Sequence, residues 1–156
     1  MDAARRATVE DLDPIIDLAQ ELRAELEPMR GGRLWSVTAA YPGPLHATFS
    51  ALLKRDDTCL VVGTIDDSIV GFGACSVAVL RDGTRLGQIV ELFVTEEARA
   101  VSVGEGILNE LVEFCRAEGC AGVDAFALPG HRAAKNFFET AGFTARALVM
   151  HHQFKP

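Results

Sequence analysis

"VTEEARAVSVGEGILNELVEFCRAEG", Val94 to Gly119, decides how the chain folds. It enters as the end of a β-rich run, passes an arginine and a cluster of small residues, and leaves as an amphipathic helix. Val103, Ile107, Leu111 and Cys115 form one row of that helix, Leu108 and Val112 the neighbouring row, and Gly119 is a natural C-cap. A helix N-terminus presents unpaired backbone N–H groups and a partial positive charge. Small residues ahead of it let an anion such as a phosphate come close. Gly104 and Gly106 equally suit tight packing of a helix on a strand, so the two readings stand side by side.

Upstream of this stretch, "RLGQIVELFV" reads as a strand after a turn at Asp82 and Gly83. "TCLVVGTIDDSIVGFGACSVAVL" reads as two strands joined by a tight turn at Asp66, Asp67 and Ser68. Nearer the start, a short strand leads to Thr8, which with Asp11 resembles a capping box. Pro14 lies in the first turns of a helix that places Ile15, Leu18, Ala19 and Leu22 on one face and stops before Pro28. From Met29 the pattern loosens around Gly31, Gly32, Pro42, Gly43 and Pro44, as binding loops do, with a short helix at "LHATFSALLK". Downstream, "GVDAFAL" is a strand, "HRAAKNFFETA" a helix closed by Gly142, and "FTARALVMHHQF" a final strand. Hairpins followed by alternating strands and helices predict an α/β (α+β) fold: a mixed central sheet flanked by helices, in one domain over residues 1–156.

The 156 residues are 49% apolar and 24% charged, enough to bury a core and unlike a disordered chain. Fifteen Lys and Arg against 22 Asp and Glu give a formal charge of −7, with no basic run to follow a phosphate backbone, so nucleic acid is not an expected partner. No window approaches the roughly 18 apolar residues of a membrane span, and no leader-like apolar region follows the N-terminal arginines; the expectation is a cytoplasmic protein without a membrane partner. Cys59, Cys75, Cys115 and Cys120 lack the spacing of a zinc or redox motif and read as reduced, buried thiols. His151 and His152 are adjacent in a strand and point to opposite faces, so no metal is expected there.

With the elements in this order, the chain resembles the GNAT superfamily of N-acetyltransferases. Arg99, Ala100, Val101, Ser102, Val103 and Gly104 are similar to the family's coenzyme A loop, with Ser102 where the family usually has glycine. "RRATVEDLDPIIDLAQ" resembles the family's opening strand and helix, and "HRAAKNFFETAGF" its closing motif. The resemblance implies a mostly antiparallel sheet and acetyl-CoA as co-substrate. It also implies transfer of an acetyl group to a primary amine of a small molecule or peptide, by direct attack in a ternary complex, and a homodimer through the C-terminal strand. A coenzyme A-binding or sensor domain of the same fold is the alternative, because two positions depart from the pattern.

Residue by residue, the resemblance implies that backbone N–H groups from Arg99 to Gly104 hold the pyrophosphate, with the Arg99 side chain a phosphate partner or else a solvated charge. Leu92, Phe93 and Val94 would pair with the pantetheine arm, and the N–H groups near Phe93 and Val94 would polarise the thioester carbonyl where a bulge splays the strand. Glu91, a carboxylate inside an apolar strand, is the candidate base; a surface or ion-paired role is the other reading. Phe138 stands where the family often has a tyrosine acid. His131 stands where an asparagine commonly faces the cofactor; a solvated helix start is the other reading. Arg33, Trp35, Tyr41 and Gln88 are the candidate acceptor-binding residues.

Overall fold

The computed structural model describes residues 1–99 and 102–156. Among these, five strands make one sheet in the order β1 (Asp2–Arg6), β2 (Thr58–Ile65), β3 (Ser68–Val79), β4 (Arg85–Val94) and β5 (Gly122–Ala125). The first three pairings are antiparallel, and β4 with β5 is parallel. Asp66 and Asp67, at φ 49° and 69°, make the expected turn between β2 and β3; aspartate is among the few residues that enter the left-handed region readily.

Side chains alternate across the sheet, so the two faces collect two cores. On one face α1 (Leu12–Leu26), α2 (Gly32–Val37) and α3 (Leu45–Lys54) bury Ile15, Leu22 and Phe49 against Val62 and Phe72. On the other, α4 (Val103–Ala117) buries Ile107 and Leu111 against Val61 and Ile89. Glycines in the strands set how near α4 can lie. A Cβ at Gly63 would meet Val103 Cγ1 at 2.4 Å, and one at Gly73 would meet Ile107 Cγ2 at 2.6 Å.

The start of α1 follows the sequence signal. The Thr8 N–H donates to Asp11 Oδ2 at 2.8 Å, and the Arg5 guanidinium donates to both Asp11 oxygens, at 2.7 and 3.0 Å. Cys59, Cys75 and Cys115 are buried, Cys120 is half-buried, and all four are free thiols.

Two features of β4 place the site. Ala74 pairs with Glu91 and Cys75 with Ile89, so Val90 is an extra residue that bulges the strand. Pairing with β5 ends at Ile89 and Ala125, yet β4 continues to Val94. The two parallel strands therefore part company, and a wedge opens between them.

Three expectations need correction. Residues 32–37 form α2, whose N-cap Gly31 sits at φ 79°, a conformation glycine adopts freely. The strand expected over "GVDAFAL" stops at Ala125, where the wedge begins. Most importantly, "FTARALVMHHQF" is not a strand. After α5 (Arg132–Thr140) the chain is irregular and exposed, and its two-residue alternation is paired with no strand of the described sheet.

Candidate active site

The wedge between β4 and β5 deepens into a cavity of about 580 Å³. Leu92, Phe93 and Val94 of β4 form its floor, Leu22, Glu25 and Leu26 of α1 one wall, and Phe137 and Phe138 of α5 the other. Ser102 and Gly104, at the start of α4, reach the same space. A largely apolar slot that ends on a helix N-terminus suits a ligand with a long, weakly polar arm and a phosphate-bearing head.

Most residues expected to hold a cofactor converge here: Leu92, Phe93, Val94, Arg99, Ser102, Gly104, His131 and Phe138 all line the cavity. Val103 instead turns into the core beneath α4. Ala100 and Val101 lie outside the described residues. Of the acceptor candidates, Trp35 lines the cavity, whereas Arg33, Tyr41 and Gln88 are absent from its walls. Tyr41 packs edge-on against Phe49 at 5.8 Å, and its hydroxyl is buried without a hydrogen-bond partner among the described residues. Burial pushes the Tyr41 phenol well above its ordinary range.

Glu91 falls on the ion-paired side of the two readings left open. Its side chain has 0% exposure. Arg23 donates from Nη1 to Oε1 and from Nη2 to Oε2, both at 2.8 Å, and the Tyr41 N–H donates to Oε2 at 2.9 Å. Arg23 also donates to the Ala19 and Tyr41 carbonyls, so the group ties α1, β4 and the segment after α2 together. A buried carboxylate with both oxygens held by Arg23 fits a positioning part.

A second charged cluster lies in the cavity itself, and the sequence reading did not find it. Arg99 donates from Nε to the Val94 carbonyl at 2.8 Å and from Nη2 to Glu25 Oε1 at 2.7 Å, with its guanidinium 5.3 Å from the centre of the Phe93 ring. Arg99 is thus a paired charge that braces the end of β4 against α1. Glu25 Oε2 lies 3.9 Å from His131 Nε2, so Arg99, Glu25 and His131 form one row across the slot. Glu25 is three residues beyond the buried Leu22 and one before Leu26, on the inward face of α1, and that helical spacing was the available signal.

Ser102 spends its hydroxyl elsewhere. Its Oγ donates to Asp2 Oδ2 at 2.7 Å, across a hollow of about 330 Å³ between β1 and α4. A Cβ on Gly104 would stand 3.2 Å from the Phe137 ring and 3.6 Å from Val94, so the missing side chain there keeps both the α5 contact and the slot open. Phe138 meets Phe137 edge-on and Phe143 at a tilt, at ring distances of 5.3 and 5.4 Å. Among the described residues no three His, Cys, Asp or Glu side chains come together to hold a metal ion, and no helix is long and apolar enough to cross a membrane.

Comparison with known proteins agrees with this geometry. The model of the Acetyltransferase (GNAT) family matches residues 18–143. An uncharacterized N-acetyltransferase of Archaeoglobus fulgidus is 30% identical over 112 residues, covering 70% of this chain and 71% of that protein. Among solved structures, a mutant protein from Bacillus halodurans shares the fold with a TM-score of 0.81 at 18% identity, over 97% of this chain and 99% of that one. AAC(6')-Iy, solved in complex with the bisubstrate analogue CoA-S-monomethyl-acetylneamine, has a TM-score of 0.77 at 16% identity, over 100% of this chain and 99% of that one. The chain belongs to the GNAT acetyltransferase family, and its sheet is that family's mostly antiparallel, helix-flanked sheet.

Proposed function

From that membership we propose that the chain is an N-acetyltransferase that passes an acetyl group from acetyl-CoA directly to a primary amine held beside it. One observation carries this reading: β4 runs past its last β5 partner along the floor of a slot that ends at the N-terminus of α4. Unpaired strand backbone and a helix terminus are the two features that a thioester arm and a diphosphate would use. A cytoplasmic setting suits the four free thiols.

In this reading Leu92 to Val94 offer backbone groups to the pantetheine arm, and an N–H near Phe93 or Val94 polarises the thioester carbonyl. Loss of one such donor typically costs about 10²–10³ in rate. Backbone N–H groups between Arg99 and Gly104 take the pyrophosphate. The amine nitrogen attacks the carbonyl carbon, the C–N bond forms, and the C–S bond breaks with sulfur leaving as thiolate. With Phe138 unable to donate a proton, departure relies on the thiol's own acidity, near a pKa of about 8.5. The proton released by the amine goes to His131, beside Glu25, since Glu91 is sealed by Arg23. The Glu25 carboxylate also attracts an acceptor in its ammonium form, of a small molecule or a peptide, near Trp35; that form gives one proton to solvent before attacking as the neutral amine.

The direct test is thiol release from acetyl-CoA by the purified chain across a panel of primary amines. Amine-dependent release is the expected result. Tight coenzyme A binding with no release for any amine would instead make the chain a binding or sensor domain, the reading favoured by Phe138.

A further inference from the structure

The cavity between β4 and β5 has walls on both faces of the sheet, because the two strands that bound it have parted. Val94 belongs to the core under α4, with Phe137 and Phe138 packed against it, and this half leads to Gly104 and the helix N-terminus. Leu22, Leu26, Trp35 and Phe93 belong to the core under α1, α2 and α3, with Leu128 packed against it. A cofactor whose diphosphate lies at the α4 end occupies the first half. The second half is then the space left for the acceptor.

That second half is apolar apart from one carboxylate. Among the described residues, the charged or titratable side chains on the cavity walls are Glu25, Arg99, Glu105 and His131. Glu105 stands in the first turn of α4, at the cofactor end. Arg99 is already engaged, with Nε on the Val94 carbonyl and Nη2 on Glu25 Oε1. Glu25 Oε2, 3.9 Å from His131 Nε2, is the oxygen left to receive an ammonium group. Trp35 is held in place beside it: the Arg23 guanidinium, fixed by Glu91, lies 5.8 Å from the centre of the indole ring. Room is short as well. One small ligand commonly fills about 300–1,000 Å³, whereas the cofactor arm and the acceptor have to share about 580 Å³.

We propose that the acceptor is a compact hydrophobic monoamine, its ammonium group met by Glu25 and its aryl or alkyl group packed on Leu22, Leu26, Trp35 and Leu128. The proposal names the substrate class of the acetyl-transfer reading and rests on that reading. The same walls select against two other classes of amine. A carboxylate on the acceptor would give up its water beside Glu25, where the one arginine is already paired. A polyamine would bury its further ammonium groups against leucine and tryptophan, with no second carboxylate on that side to receive them.

Trp35 is the chain's single tryptophan, so its fluorescence reports occupancy of this half without any need for turnover. The chain with coenzyme A bound is titrated with phenethylamine, with L-phenylalanine, which adds a carboxylate to the same skeleton, and with spermidine, a polycation. Phenethylamine should quench saturably, with a dissociation constant at least about tenfold below those of the other two. Leu128→Lys, at a half-buried wall position, should weaken phenethylamine and strengthen L-phenylalanine, a reversal that misfolding would not produce. Thiol release from acetyl-CoA is then followed with the same three amines. Saturable phenethylamine binding without release would support the acceptor class while overturning acetyl transfer. Release with spermidine or L-phenylalanine in preference to phenethylamine would keep acetyl transfer and overturn the proposal, as would a failure of phenethylamine to quench Trp35.

Discussion

Arg23 on α1 and Glu91 on β4 meet in a two-point ion pair, both contacts at 2.8 Å, and the carboxylate also receives the Tyr41 N–H. The pair fixes where the segment after α2 crosses the sheet. Removing one member strands a buried charge and an N–H group, so Glu91→Ala should lower unfolding free energy by about 3–5 kcal/mol in urea melts. Glu91→Gln should be milder and should leave the shape of the turnover pH profile intact. Disappearance of the acidic limb in Glu91→Gln would return the base to Glu91.

His131 and Glu25 carry the opposite expectation. His131→Ala should cut turnover by about 10² or more with little change in coenzyme A affinity, the usual scale for losing a positioned base. Added imidazole should restore part of the rate. Turnover within a factor of two of the parent would exclude His131 as the proton acceptor.

Gly104→Trp places an indole where the slot meets α4, a few ångströms from Phe137 and Val94. Calorimetry should show the coenzyme A dissociation constant raised at least about tenfold, while the thermal transition of the unliganded protein stays close to the parent's. Equal affinity would move the diphosphate away from this helix.

Acid stability reports on Asp11. The Arg5 guanidinium first, then the Thr8 N–H against an opposing cost of burial, hold the Asp11 carboxyl below its ordinary value of 3.8. A depressed native pKa means the unfolded chain takes up the proton first as pH falls. The stabilisation is therefore complete above about pH 3.8 and fades as pH drops through the native value. Asp11→Asn should be less stable than the parent at pH 7, and the two should converge below pH 4. The gap should be modest, because Arg5 is half exposed and solvent screens it. A gap constant from pH 7 to pH 3 would show that the charge contributes nothing.

Period and punctuation made much of this legible in advance. The boundaries of β4 and the rows of α4 follow from local alternation, and the start of α4 from the small residues ahead of it. What stayed hidden depends on partners far away in sequence. Glu91 shows in the sequence as a charge within an apolar strand, but its partner lies 68 residues earlier, on a helix face that periodicity marks only as polar. Arg99 likewise meets Glu25 across 74 positions. The C-terminal arm fails for a related reason: a strand pattern states which residues share a face but not which edge they meet, and among the described residues the arm pairs with none.

The central claim is tested most directly by a crystal structure of the chain with acetyl-CoA. The diphosphate should sit against the backbone N–H groups leading into Gly104, with the thioester carbonyl within hydrogen-bonding distance of an N–H at Phe93 or Val94. A nucleotide bound away from the start of α4, or a thioester on the far side of β4, would contradict the account.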